Sequence, residues 1–141
     1  MQSVELTDTT ELVDTGKWAT FDTTSFPVVR VKMTGVIQDQ DDFNRFIEGW
    51  RNLYSRNQRF SLEFDTSEVG NVSMKYAFQM RSFIRELKSS HPRLLERSTI
   101  SVSSRWVRFL LKMIFFFEKP VADVYIENIK DGSVQVVTAS S

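Results

Sequence analysis

Apolar positions along this chain change period several times, and each change marks an element. "FPVVRVKMTG" alternates Val29, Val31 and Met33 with Arg30, Lys32 and Thr34. A period of two predicts a strand with one solvated face. In "DQDDFNRFIEGWRNLYSRN", Phe43, Phe46, Ile47, Trp50 and Tyr54 fall at helical spacing, with Leu53 extending the stripe. Asp39, Asp41 and Asp42 stand at its start, where free N–H groups and the helix dipole favour carboxylates. "RFSLEFD" alternates again through Phe60, Leu62 and Phe64. "SMKYAFQMRSFIRELKSSHP" returns to helical period through Met80, Phe83, Ile84 and Leu87, with Ser73 as N-cap and Pro92 beyond the last turn.

The remaining third follows the same logic. "STISVSS" predicts a short strand whose closing serines can cap a helix opened by Arg105. "VADVYIEN" predicts a β-branched strand after Pro120, and "GSVQVVTASS" a last strand or tail. "VELTDTTELV" reads as a weak strand or frayed terminus. Strands alternating with helices imply an α/β domain with right-handed parallel crossovers. The expected architecture is a single mixed sheet of about five to six strands, opened by an antiparallel pair, with about three helices mainly on one face. A chain of 141 residues fits one domain over 1–141, with 1–15 and 129–141 as peripheral strands or tails.

Between "STISVSS" and "VADVYIEN" lies the densest apolar stretch. "RWVRFLLKMIFFF", residues 105–117, holds ten large apolar side chains in thirteen positions. Val107, Leu110, Leu111 and Ile114 are expected to cover the sheet, with Arg105, Arg108 and Lys112 together on another face. A helix has a limited core-facing arc, so Trp106, Phe109, Met113 and Phe116 should be left partly outside. The segment is too short to span a bilayer, which takes about 20 apolar residues. An aromatic patch rimmed by cations can dock a protein partner or a second copy of the chain, sit at an anionic lipid surface, or be covered by the chain's own acidic N-terminal arm.

Charge and candidate chemistry refine this picture. Residues 1–68 carry seven Lys/Arg against twelve Asp/Glu, and residues 69–141 eleven against six, so halves of −5 and +5 cancel. The basic excess is scattered over two helices without a recognised motif, which argues against nucleic acid. Arg81, Arg85 and Lys88 form a secondary basic ridge on the second helix. With no Cys, thiolate chemistry and disulfides are excluded, and a cytoplasmic setting is expected. One His (His91) beside Pro92, and no phosphate-binding or metalloprotease motif, lead to an expectation of no catalysis, metal or cofactor. The acids around Asp39 lack the Gly and Glu that a calcium loop requires. Glu63 and Asp65 point to one side of a strand and could share a proton, although solvated strand-end acids are the far commoner case.

Several segments together resemble the STAS superfamily, in particular SpoIIAA-like proteins, whose core topology is shared with CRAL-TRIO lipid-binding domains. "VVRVKMTGVIQDQDDFNRFIEGW" looks like the family's strand, corner and first helix. "FSLEFDTSEVGNVS", "STISVSSRWVRFLLKMI" and "PVADVYIEN" are similar to its later strands and short helix. The likeness covers roughly residues 26–128 and concerns topology and apolar positions. It implies a non-catalytic regulatory module that works by docking. It also implies candidate phosphorylation at the mouth of the second helix, where Ser73 in "NVSMKY" stands in place of the family's D-S-[ST]-G. The CRAL-TRIO kinship implies lipid binding as the alternative.

Overall fold

The computed structural model describes residues 12–14 and 18–139. Its strands are β1 (Leu12–Asp14), β2 (Ala19–Asp22), β3 (Val28–Gly35), β4 (Phe60–Val69), β5 (Leu95–Val102), β6 (Asp123–Asn128) and β7 (Val134–Val137). The helices are α1 (Gln40–Leu53), α2 (Met74–Ser90) and α3 (Arg105–Phe117), with a 3-10 turn at Tyr54–Arg56. All seven strands join one sheet in sequence order. β1, β2 and β3 pair antiparallel, β3 through β6 pair parallel, and β7 returns antiparallel to β6. The expected mixed α/β sheet is therefore present, and β1 and β7 are its peripheral strands. The weak-strand reading of residues 4–13 falls largely outside the described residues.

Each parallel connection moves one strand further in the same direction. Right-handed crossovers of that kind put every helix on one face. The strand pattern agrees: Val29, Val31, Met33, Phe60, Leu62, Phe64, Ile100, Val102, Val124 and Ile126 are buried. Their alternating neighbours form an open polar face, where Arg30 meets Glu63 at 3.3 Å and Lys32 meets Asp65 at 3.2 Å. Arg97 lies over the Tyr125 ring on that face, 4.1 Å from its centroid.

Local chemistry fixes the helices where the sequence suggests. Asp39 caps α1 by accepting from the Asp42 N–H at 3.1 Å. Phe43, Phe46, Ile47, Trp50 and Leu53 face the sheet and join Trp18, Phe64 and Phe83 in an aromatic core. Arg51 grips Glu86 with two nitrogens, each 2.7 Å from a carboxylate oxygen, and so ties α1 to α2. Gly35, at φ +70°, closes β3 in a conformation that a side chain would strain.

Candidate functional site

Ser104 starts α3, its hydroxyl accepting from the backbone N–H groups of Trp106 and Val107. The neighbouring Ser103 donates to the Ser67 carbonyl instead, so only one of the two serines caps. Val107, Leu110 and Ile114 are buried, while Leu111 and Phe115 pack half-buried against the core. That inner arc uses up the sheet available to a 13-residue helix. The surplus lies outside: Trp106 is 37% exposed, Phe109 48%, Phe117 54% and Phe116 81%. Met113 is half-buried and packs beside Ala77, Ile84, Leu110 and Ile114.

These rings are ordered by specific contacts. Trp106 stacks on Phe109 with centroids 5.5 Å apart, and its indole N–H donates to the Val72 carbonyl at 2.8 Å. Phe116 and Phe117 meet edge to face at 5.1 Å. α2 lies alongside and adds exposed Met74 and Phe78. The Arg81 guanidinium bridges the helices, 5.9 Å from the Phe78 centroid and 4.9 Å from that of Phe117. α2 and α3 thus both contribute exposed rings, linked through Arg81 at Phe78 and Phe117.

The cations around it divide into three groups. Arg105 and Lys112 are exposed and form no ion pair among the described residues. Arg108 is half-buried on the far flank of α3, close enough to Asp131 to help lower its carboxyl pKa after the hydrogen bonds from Ser133. The Arg81, Arg85, Lys88 ridge is split. Arg81 serves the rings, whereas Arg85 and Lys88 close on Glu118 at 3.0 and 2.5 Å. Lys88 first, then Arg85, hold the Glu118 carboxyl below the usual carboxylate range. Of the anticipated cations, Arg105, Lys112 and Arg81 therefore border the aromatic surface with no carboxylate paired to them among the described residues.

Phe117, Phe78 and Met74 belong to this surface but were not singled out by the sequence. Helical spacing carried the signal for α2: Met74, Phe78, Arg81 and Arg85 follow one another at steps of four, three and four, beside the buried stripe of Tyr76, Ala77, Phe83, Ile84 and Leu87. Ser73 caps α2, accepting from the Lys75 N–H at 3.3 Å. It sits next to Val72, whose carbonyl anchors Trp106, so it borders the aromatic surface.

The remaining candidates are engaged elsewhere. Glu63 and Asp65 each hold a cation on the open sheet face. Ser67 hydrogen bonds, with a lesser contribution from Lys32, lower the Asp65 pKa. Each carboxylate is thus engaged by its own cation on the sheet face rather than by the other acid. His91 ends α2 with Nε2 3.2 Å from Glu86 and its ring against Tyr54. Among the described residues, no helix is long and apolar enough to cross a membrane. No protein-family model and no curated protein matches this sequence.

Proposed function

We propose that this protein is a non-catalytic interaction module that docks an acidic, apolar-bearing segment of a partner protein on the α2–α3 surface. The observation that carries the reading is the set of ordered but exposed rings Trp106, Phe109, Phe116 and Phe117 beside Arg105 and Lys112, which have no ion-pair partner among the described residues. Aromatic anchors next to guanidinium groups are the residue types that dominate binding energy at protein interfaces. Arg105 and Lys112 set the sign of the partner. A two-fold pairing of this surface with itself would bring two sets of Arg81, Arg105 and Lys112 into one interface with no carboxylate from the same surface to face them, so a distinct acidic partner fits better than a second copy. A STAS-type regulatory role and a cytoplasmic setting belong to the same proposal. The first rests on the sequence resemblance and the second on a composition without cysteine.

An anionic lipid surface is the second reading. It is favoured by one feature, the protruding Phe116–Phe117 pair flanked by Lys112 and Lys119. Placing the photoreactive residue p-benzoylphenylalanine at Phe116 in living cells separates the readings, because its ring occupies the proposed contact. The docking proposal expects a covalent product with a different protein, attached within an acidic stretch and lost when Phe109→Ser is added. A product of twice the chain mass would replace it with self-association, and a lipid adduct would replace it with the membrane reading. Irradiation that yields no adduct of any kind would overturn the surface as a contact site.

A further inference from the structure

The last strand leaves one side of the sheet unfinished. β7 pairs antiparallel with β6, and among the described residues no strand pairs with its outer side. Sheet edges are ordinarily guarded by charge, proline, a bulge or a covering element, because their free backbone groups recruit other strands. β7 reads "VQVV": it holds no charge and no proline, and its register against β6 runs without interruption. The opposite edge strand, β1, carries Asp14.

One hydrogen bond fixes where the backbone groups of β7 point. The Asn128 N–H donates to the Ser133 carbonyl at 2.9 Å, which makes these residues a hydrogen-bonded pair. Such pairs alternate along an antiparallel ladder, so Gln135 and Val137 also turn their N–H and C=O groups to β6. Those of Val134 and Val136 point outward. The side chains of the same valines stand on the open sheet face, 54% and 48% exposed. Free backbone groups and uncovered apolar side chains thus coincide at Val134 and Val136.

We infer that β7 pairs antiparallel with β7 of a second copy across a two-fold axis at Gln135, joining the two sheets into one. A second copy is the occupant because the strand complements itself in this register. With Gln135 opposite Gln135, Val134 faces Val136 of the second copy on each side of the axis, and each such pair exchanges both N–H···O bonds. The valines of both copies then cover one another on the open face. An axis at Val134 or Val136 would instead set the other valine against Gly132 or Thr138. Residues 132–138 carry no charge, so no like charges meet, and a charged foreign strand would find no counter-charge there. The contact is short and belongs with transient interfaces of under about 1,200 Å², so the dimer should be weak and reversible.

The chain has no cysteine, so single cysteines report the register. Cα atoms of a non-hydrogen-bonded pair stand about 4.5 Å apart, within disulfide reach, and Gln135 occupies that position opposite itself. Ser133 instead faces Val137 of the second copy. Under mild oxidation of the full-length chain, Gln135→Cys should form a disulfide dimer at least about tenfold faster than Ser133→Cys. Sedimentation of the wild type should show a mass that rises with concentration toward that of two chains. Val136→Pro removes an outward donor without touching the β6 ladder and should hold the chain monomeric. Val136→Lys should do the same, which keeps the test decisive if Val136→Pro does not fold. Equal oxidation rates for the two cysteines, a wild type still monomeric at its solubility limit, or association unchanged in Val136→Lys would overturn the pairing. β7 carries none of the rings of the α2–α3 surface, so these outcomes are independent of docking there.

Discussion

Replacing Phe116 by alanine should leave the stability of the fold nearly unchanged, although it removes a large aromatic side chain from the most apolar helix. The ring is 81% exposed. A phenylalanine buries about 200 Å² when fully covered, so about 40 Å² is lost here. At about 25 cal/mol per Å² that is about 1 kcal/mol, an upper estimate because the unfolded chain covers part of it as well. Alanine returns about 0.5 kcal/mol through its better helix propensity. Leu110→Ala, on the inner side of the same helix at 6% exposure, should instead cost about 2–5 kcal/mol. Urea unfolding followed by far-ultraviolet circular dichroism measures both. With a slope of about 2 kcal/mol per molar, Leu110→Ala moves the midpoint by about 1 M or more and Phe116→Ala by less than about 0.3 M. Equal shifts would mean that the Phe116 ring is covered by its own chain, and the reasoning that assigns it to recognition would fail.

Other consequences can be checked with equally simple variants. Ser104→Ala removes an acceptor shared by two backbone N–H groups and should destabilise by about 1 kcal/mol. Ser73→Ala should cost less in the same unfolding assay, because that cap makes a single 3.3 Å bond. Arg105→Glu with Lys112→Glu should leave the unfolding midpoint in place yet weaken a photo-captured acidic partner about tenfold and reverse its salt dependence, read by calorimetric titration. Glu86 has a lowered pKa, through Arg51 first and His91 after it, and Glu118 through Lys88 and Arg85. A depressed folded pKa stabilises above the ordinary carboxylate range, near about pH 4.3, and that stability is lost as pH falls through the folded value. Glu86→Gln with Glu118→Gln should therefore destabilise at neutral pH and progressively less in acid. An equal loss at every pH would place the effect in packing rather than charge.

Local pattern was enough to expose the layer architecture. The alternation at Val29, Val31 and Met33 and the helical stripe from Phe43 to Trp50 each record which side faces the core, and right-handed crossovers then leave little freedom of topology. Edge strands were harder. Val134 and Val136 lie on the open face and are exposed, so β7 offers no clean alternation of apolar and polar residues. The surplus on α3 was legible because ten large side chains exceed the arc that a helix can bury. Its extension over α2 was not, since Phe78 and Met74 look like core until the neighbouring helix is placed. Neutralisation of Arg85 and Lys88 by Glu118 was also hidden, because it depends on a contact between residues some thirty positions apart.

Hydroxyl-radical footprinting of the purified protein, diluted until sedimentation shows a monomer, addresses the central claim most directly. Phe116 should be the most rapidly modified phenylalanine, with Phe109 and Phe117 close behind and the buried Phe21 and Phe60 protected. A Phe116 as protected as Phe60 in the monomer would show that α3 has no free aromatic surface to offer a partner.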